Sequence, residues 1–312
     1  MSRAPLVTVL CGSASEESEV SRVSGRAIAT ALAENFEAEL VDLPANFLPD
    51  NILPEETVIF PALHGTFGED GQLQAMLEER GFAYAGSDAA SSALCMNKIN
   101  AKAIVADTGF AFADDITFYS PTPPSAEEMV ASMGDSLVVK PIDKGSSVGL
   151  HIIDGIDHLE RVLHELPPGA WMIEQRLQGR EMTVGILDGK AMGIVEIVPE
   201  GGVYDYAHKY TSGASDYRYP AEIDERLAQH IRESAESVFT VCGCRDFARV
   251  DFILVEEGRP CFLEINTIPG LTATSLLPKS ASCKGLDFPQ LARRMLLPAI
   301  ERYNQKFSIP HG

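Results

Sequence analysis

Basic residues are scarce in this sequence. Lysine and arginine total 25, against 45 aspartate and glutamate residues, which gives a formal net charge of −20 at pH 7. A broad nucleic-acid surface and a binding face for anionic membranes both need clustered cations, so the balance excludes both classes of partner. A small anionic ligand remains compatible, provided that cations are concentrated locally.

Cysteine is also sparse, and long apolar runs are absent. The closest cysteine pair, Cys242 and Cys244, is too tight for the usual zinc spacing, so we predict reduced thiols in the core. No apolar run approaches the ~18 residues of a membrane span. The apolar start Leu6–Cys11 is too short for a secretory signal. We therefore expect a cytoplasmic protein.

The 312 residues correspond to two or three domains at ~150 residues per domain or fewer. In the first third, strands over Leu6–Cys11, Glu39–Leu43 and Thr57–Leu63 alternate with helices over Glu17–Glu34 and Leu73–Arg80. This order predicts a parallel sheet covered by helices.

The remaining two thirds mix helices with hairpins. We predict helices over Ser91–Val105 and Ile223–Val241, and a hairpin turn at Asp188-Gly189. Ser125 and Glu128 form a capping-box pattern that opens another helix. The predicted domains are residues 1–90, 91–178 and 179–312.

The strongest chemical signal is a predicted hairpin over 248–266 with its tip at Glu257-Gly258. In that register Asp251 faces Glu264 and Arg249 faces Asn266. A four-residue loop keeps the register and a three-residue loop breaks it. Strict alternation places these polar residues on one face and the apolar ones on the other, namely Val250, Phe252, Leu263 and Ile265.

Two carboxylates that face each other across strands repel, so Asp251 and Glu264 suggest a divalent cation between them. Carboxylate and amide oxygens, the latter from Asn266, suit Mg²⁺. Arg249 is shaped to bind a transferring phosphoryl group or an oxyanion. The alternative is a solvated polar sheet face without a ligand.

Cations and mobile loops occur elsewhere in the chain. Lys140 ends a strand just before the Gly/Ser loop Gly145–Gly149, a combination that can hold phosphates, although the loop is not a Walker A motif. The polar, aromatic segment 204–213 reads as a loop able to close over a site. Each signal has a plain structural alternative, such as a surface hairpin or an exposed helix lysine.

Taken together, these motifs resemble the D-alanine–D-alanine ligases of the ATP-grasp superfamily, over about residues 7–296. The matching segments are Glu19–Ser21, Ser24-Gly25, His64–Gly71, Lys140-Pro141, Gly145–Gly149, Tyr204–Tyr206, Lys209–Gly213, Arg249–Asp251, Glu264–Asn266, Pro269–Thr272 and Ser275–Pro278. Each motif is modest alone, but in this order and spacing they are highly specific.

The resemblance implies a three-domain ATP-grasp fold of the α/β class. An N-terminal parallel α/β domain would precede central and C-terminal α+β domains that clamp ATP. It implies ATP-dependent joining of two D-alanines through an acyl phosphate, for peptidoglycan precursor synthesis. It also implies two Mg²⁺ ions, with Mn²⁺ as an alternative, and a homodimer.

The resemblance also assigns residues. The implied nucleotide residues are Lys98, Lys140, Ser147, Glu174, Gln175, Leu177, Glu181 and Lys209. The implied metal ligands are Asp251, Glu264 and Asn266. The implied catalytic residues are Glu17, Ser146, Tyr210, Arg249 and Gly270. His64, Ser275 and Leu276 would contact the D-alanines. Because the first loop is one residue longer than in common members, Glu16 is an alternative to Glu17.

Three alternatives remain open from the sequence. The second substrate could be D-lactate or D-serine, although Tyr210 favours D-alanine. The chain could be a catalytically silent ATP- or amino-acid-binding regulator, although Arg249 beside three metal-type ligands argues against it. A purely structural protein would leave those residues unexplained.

Overall fold

The computed structural model describes residues 4–199 and 215–307. It contains a four-stranded parallel sheet followed by two largely antiparallel sheets. The mixed α/β class predicted from the sequence is confirmed. The three sheets occupy successive stretches of the chain, and the proposed domain limits themselves stay a prediction.

The first sheet has the order β2-β1-β3-β4 and is parallel throughout. Its strands and helices are β1 (Leu6–Gly12), α1 (Ser18–Leu32), β2 (Ala38–Leu43), β3 (Thr57–Pro61), α2 (Gln72–Glu79) and β4 (Ala83–Tyr84). Both central strands are almost fully buried, as expected when helices cover a parallel sheet. The predicted strand-helix alternation is therefore confirmed.

Two short helices connect the first sheet to the second, α3 (Ala89–Met96) and α4 (Lys98–Ile104). One helix was predicted over Ser91–Val105, but the structure has two helices separated by Asn97. The Asn97 side chain accepts hydrogen bonds from the backbone N–H groups of Ile99 and Asn100 and thereby caps α4. The break places Lys98 in the first turn of a new helix.

The second sheet has the order β5-β8-β6-β7 and is antiparallel. Its elements are β5 (Asp115–Ser120), α5 (Ala126–Met133), β6 (Ser136–Pro141), β7 (His151–Asp154), α6 (Ile156–Glu165) and β8 (Gly169–Gln175). Ser125 accepts from the Glu128 N–H, as the capping pattern predicted. Both helices pack on one face of the sheet.

The third sheet has the order β11-β10-β9-β12-β13. Its elements, with the helices that follow, are β9 (Gly179–Leu187), β10 (Lys190–Pro199), β11 (Ser215–Arg218), α7 (Glu225–Val241), β12 (Phe247–Val255), β13 (Pro260–Asn266), α8 (Leu276–Ser282) and α9 (Phe288–Phe307). Asp188 and Gly189 both have positive φ, the geometry of a two-residue hairpin turn, so that prediction is confirmed. Helix α9 was not predicted; it packs on α1 and the first sheet.

The β12–β13 hairpin has the predicted register at its functional end. Asp251 pairs with Glu264 and Arg249 with Asn266. The Val255 N–H donates to the Arg259 carbonyl, so the loop has three residues instead of the four that keep this register. A β-bulge between the Asp251 and Phe252 pairs adds the missing residue.

The bulge corrects one expectation. Strict alternation placed Leu263 on the face opposite Glu264, but Leu263 is the extra residue of the bulge. Its side chain is half-buried and lines the same cavity as Glu264 and Asp251. Leu263 therefore adds an apolar contact to the polar face, while Val250, Phe252 and Ile265 are buried in the core as predicted.

In residues 4–199 and 215–307, no helix combines the length and the apolar character that crossing a bilayer requires. The described cysteines carry no disulfide, and all but the half-buried Cys283 are buried. The prediction of reduced core thiols thus holds for most of the set.

Candidate functional site

A cavity of about 450 Å³ lies between the second and third sheets. β6 and β8 form one wall, and β9, β12 and β13 form the other. Among the predicted site residues it is lined by Lys98, Lys140, Ser147, Glu174, Gln175, Leu177, Glu181, Arg249, Asp251, Glu264 and Leu276. Cavities of this volume hold nucleotide-sized ligands.

Cationic side chains are concentrated at this cavity despite the acidic composition. Lys140 donates to Glu174 Oε1, and Lys98 Nζ lies 3.4 Å from Glu264 Oε2 and 2.6 Å from the Lys144 carbonyl oxygen. The four charged side chains of these two pairs come from four different elements, β6, β8, α4 and β13. The local concentration of cations that an anionic ligand requires is therefore present.

Glu174 is buried between two lysines. Its Oε2 accepts from Lys102 Nζ at 3.0 Å, and Lys102 also reaches Asp115 at 2.9 Å. Burial alone would raise the pKa of Glu174, but Lys140 and Lys102 together lower it. The carboxylate is therefore ionised, and lysines engage both of its oxygens.

Arg249 and Asp251 form a bidentate ion pair on β12. Arg249 Nε lies 2.8 Å from Asp251 Oδ1, and its Nη2 lies 2.6 Å from Oδ2. Thr183 on β9 also donates to Asp251 Oδ1, at 2.5 Å. All three side chains are buried, so the pair is positioned rigidly at the cavity wall.

The predicted metal ligands lie together at the end of the hairpin. Asp251 and Glu264 are cross-strand partners, and Asn266 follows Glu264 by two residues on β13. The Asn266 Oδ1 accepts from the Ile268 N–H at 2.9 Å. Within the described ranges, no three Asp, Glu, His or Cys side chains cluster closely enough to hold a metal ion by themselves.

A second polar cluster joins the first sheet to the Gly/Ser loop. Ser146 donates to Glu17, which precedes α1 and is buried. The neighbouring Glu16 is exposed. Ser146 and Ser147 both have positive φ, which turns the loop back toward the first sheet. The structure therefore brings Glu17, and not Glu16, to Ser146.

His64 lies in the same region, at the end of the first sheet. Its Nε2 is 2.8 Å from Ser24 Oγ, and its Nδ1 is 3.1 Å from the Ile268 carbonyl and 3.4 Å from Glu69 Oε1. Burial raises the pKa of the Glu69 carboxyl, and the hydrogen bond from His64 opposes that shift. Three polar groups therefore hold the imidazole ring in place.

Glu69, which contacts His64, was not singled out in the sequence, although it lies inside the His64–Gly71 motif. A separation of five residues fits neither helix nor strand periodicity. The two side chains meet because the loop folds back on itself at Gly65, which has positive φ. Lys102 and Thr183 were missed as well. Their partners lie on other strands, so only the tertiary structure reveals them.

Gly270 and Ser275 precede α8, and Leu276 is its first residue. A Cβ placed on Gly270 would lie 3.0 Å from Ser275 Oγ, which itself accepts from the Thr272 N–H at 3.1 Å. Leu276 lines the cavity. Lys209 and Tyr210 lie outside the described residues.

Sequence profiles match the chain in two places. The profile described as "D-ala D-ala ligase C-terminus" matches residues 104–297, and the one described as "D-ala D-ala ligase N-terminus" matches residues 44–87. The chain belongs to the D-alanine–D-alanine ligase family. The family predicted from the motif order is thereby confirmed.

Individual relatives within this family match almost end to end. The D-alanine–D-alanine ligase of Anaeromyxobacter sp. (strain K) is 41% identical over 298 residues, which is 93% of this chain and 95% of that one. The enzyme of Aquifex aeolicus is also 41% identical, over 91% of this chain and 97% of that one.

Solved structures agree with the family. The Bacillus anthracis D-alanine–D-alanine ligase in complex with ATP has a TM-score of 0.83 at 28% identity, covering 97% of this chain and all of that one. The VanG D-Ala:D-Ser ligase of Enterococcus faecalis has a TM-score of 0.79 at 26% identity, covering 95% and 100%. The predicted ATP-grasp architecture is confirmed.

Proposed function

We propose that this protein is an ATP-dependent ligase that joins two D-alanines into D-alanyl-D-alanine, a precursor for peptidoglycan synthesis. The observation that carries the proposal is the pairing of Asp251 with Glu264, beside Arg249, at the wall of a nucleotide-sized cavity. A protein that only bound ATP would not need this set. Family membership over nearly the whole chain supports the same reaction.

The proposed reaction has two steps. A carboxylate oxygen of the first D-alanine attacks the γ-phosphorus of ATP, which gives an acyl phosphate and ADP. The free-base amine of the second D-alanine then attacks the acyl carbon, and the tetrahedral intermediate expels inorganic phosphate. The products are the dipeptide, ADP and phosphate.

The proposed nucleotide contacts use the wall residues. Lys98 and Lys140 would neutralise phosphate charge, together with Lys209 and the Ser147 region. Gln175, Leu177 and Glu181 would line the adenine and ribose pocket, where their positions at the β8–β9 connection support this role. Glu174 would line the same pocket, with both of its carboxylate oxygens held by lysines.

Two Mg²⁺ ions, or Mn²⁺, fit the donor chemistry at the hairpin. Asp251, Glu264 and Asn266 supply hard oxygen donors at adjacent positions, and phosphate oxygens would complete the coordination. Asp251 lies beside Arg249, and Glu264 lies beside Lys98. These contacts support a site in which neighbouring cations balance the negative charge. Bound metal would withdraw charge from the transferring phosphoryl group.

The proposed contacts with the two D-alanines come from the second polar cluster, from the start of α8 with the segment before it, and from Arg249. Glu17 would accept from the ammonium of the first D-alanine, with Ser146 and Tyr210 linking it to the closing loop, and His64 would lie near the carboxylate. Ser275 and Leu276 would receive the second D-alanine, and Arg249 with the Gly270 N–H would stabilise the oxyanion.

Phosphate release tests the proposal. Purified protein with ATP and Mg²⁺ is given D-alanine, L-alanine, or D-alanine with D-lactate or D-serine, and products are identified by mass. We expect release only with D-alanine present and a D-alanyl-D-alanine product. A mixed product with D-serine would reassign the second substrate, and ATP binding without any release would support a silent regulator. Homodimeric assembly and a cytoplasmic location stay predictions, and light scattering tests the first.

A further inference from the structure

Lys102 lies outside the cavity wall but contacts a residue that forms it. Its Nζ lies 3.0 Å from Glu174 Oε2 and 2.9 Å from Asp115 Oδ1, and its side chain is nine-tenths buried. Lys140 occupies the other oxygen of Glu174. One buried carboxylate therefore bridges two lysines, of which Lys140 alone lines the cavity.

The pairing of Lys140 with Glu174 conflicts with its assigned role. A nucleotide phosphate at Lys140 would compete with Glu174 for the three N–H donors of the ammonium. A buried carboxylate that loses its partner is strongly destabilised, so the free energy of ATP binding would be reduced by that amount. Something must therefore compensate Glu174 while Lys140 is engaged elsewhere.

We propose that Lys102 is a positioning residue that stays paired with Glu174, so that Lys140 can transfer from Glu174 to the nucleotide phosphates. The inference rests on the proposed function, since it needs a polyphosphate in the cavity. Lys102 comes from α4, whose first residue is Lys98, so the same short helix supplies one phosphate cation and this permanent counter-ion.

A purely structural role for Lys102 is the alternative that the test must separate. Glu174 and Asp115 are directly opposite each other across β8 and β5, and like charges in that position repel. Lys102 could simply relieve that repulsion. Such a role would affect folding and the binding of any ligand equally, whereas the transfer of Lys140 concerns only ligands that carry phosphates.

The experiment compares the affinities of ATP and adenosine for the K102M variant by titration calorimetry with Mg²⁺. We expect ATP to bind about tenfold more weakly than to the wild type, and adenosine to bind within twofold. K102R should restore ATP affinity, because it keeps the charge. Equal weakening of both ligands, or of neither, would overturn the proposal.

Removing the Glu174 carboxylate provides a second test of the proposal. In K102M/E174Q nothing holds Lys140 back, so we expect ATP affinity to recover at least fivefold relative to K102M. A further loss would contradict the transfer. K190M is the matched control, because the Lys190–Glu236 pair has the same 3.0 Å separation while the lysine side chain is exposed; ATP affinity should not change.

The D115N variant separates the proposed role of Lys102 from its structural role. This change removes the Asp115–Glu174 repulsion, so Lys102 loses its structural task but keeps its proposed one. K102M in the D115N background should still weaken ATP about tenfold relative to D115N alone, and unchanged ATP affinity there would refute the proposal. If the wild type itself fails to bind ATP, the proposed function fails instead.

Discussion

Arg249 donates to both carboxylate oxygens of Asp251 from two positions away on the same strand. The proposed oxyanion residue and the proposed metal ligand thus neutralise each other in this structure. Mg²⁺ must therefore compete with a guanidinium for Asp251, and we expect Mg²⁺ alone to bind weakly. Phosphate oxygens supply further metal ligands and an anion for Arg249, so metal and nucleotide should bind together.

Replacing Asp251 with asparagine should abolish most of the activity. Loss of several kcal/mol of charge stabilisation corresponds to a fall in kcat of about 100-fold or more. Because the pair with Arg249 is buried, D251N should also lower the free energy of unfolding by about 1–3 kcal/mol. Phosphate release and urea unfolding measure the two effects.

D188N is the matched control for D251N. Arg294 and Asp188 share the same 2.6 Å contact, but their side chains are 45% and 40% exposed. Asparagine also tolerates the positive φ of this turn. D188N should keep full kcat and lose less than about 1 kcal/mol. A D251N enzyme with wild-type kcat would refute the metal assignment.

Glu17 and Glu16 provide an internal comparison at the first-substrate site. Glu17 is buried and accepts from Ser146, whereas Glu16 is exposed. E17Q removes the charge that should hold the D-alanine ammonium, so we expect the KM for the first D-alanine to rise about tenfold or more, the loss expected for a charged hydrogen bond. E16Q should leave both KM values unchanged. The reverse result would move the contact to Glu16.

The sequence predicts the Asp251–Glu264 pair correctly, but the loop geometry used to predict it is only partly correct. The Asp251–Glu264 register was predicted from a symmetric loop, but the loop is shorter and a bulge at Leu263 compensates. Two local deviations cancelled, and no sequence pattern signals a bulge at a leucine. Lys102 is invisible for another reason: its partners Asp115 and Glu174 are brought to it only when β5 and β8 pair.

Two buried carboxyl groups should give opposite pH dependences of stability. The pKa of Glu69 is raised, chiefly by burial, so the folded state holds this proton more tightly than the unfolded chain. Its contribution to stability therefore falls as pH rises above the ordinary value of 4.5. For E69Q, the urea midpoint relative to wild type should increase between pH 4.5 and 7.

E174Q is the counterpart. Burial opposes ionisation of Glu174, but Lys140 and Lys102 lower its pKa overall. The stability it contributes is present above pH 4.5 and is lost as pH falls through the lowered folded pKa. The destabilisation caused by E174Q should therefore shrink on acidification below pH 4.5. The same sign of change for both variants would contradict these environments.

Gly65 and Gly189 separate backbone strain from a steric clash at the substrate site. Both have nearly the same positive φ, +75° and +73°, but a Cβ on Gly65 would lie 2.4 Å from Glu17 Oε2, whereas one on Gly189 meets nothing within 4 Å. Alanine at either position should lower stability by about 1–2 kcal/mol. Only G65A displaces Glu17, so it alone should raise the KM for D-alanine while the KM for ATP is retained. Steady-state kinetics of both variants, with D-alanine and ATP varied separately, provide the measurement. Equal KM values for D-alanine in G65A and G189A would show that Glu17 does not contact the first substrate.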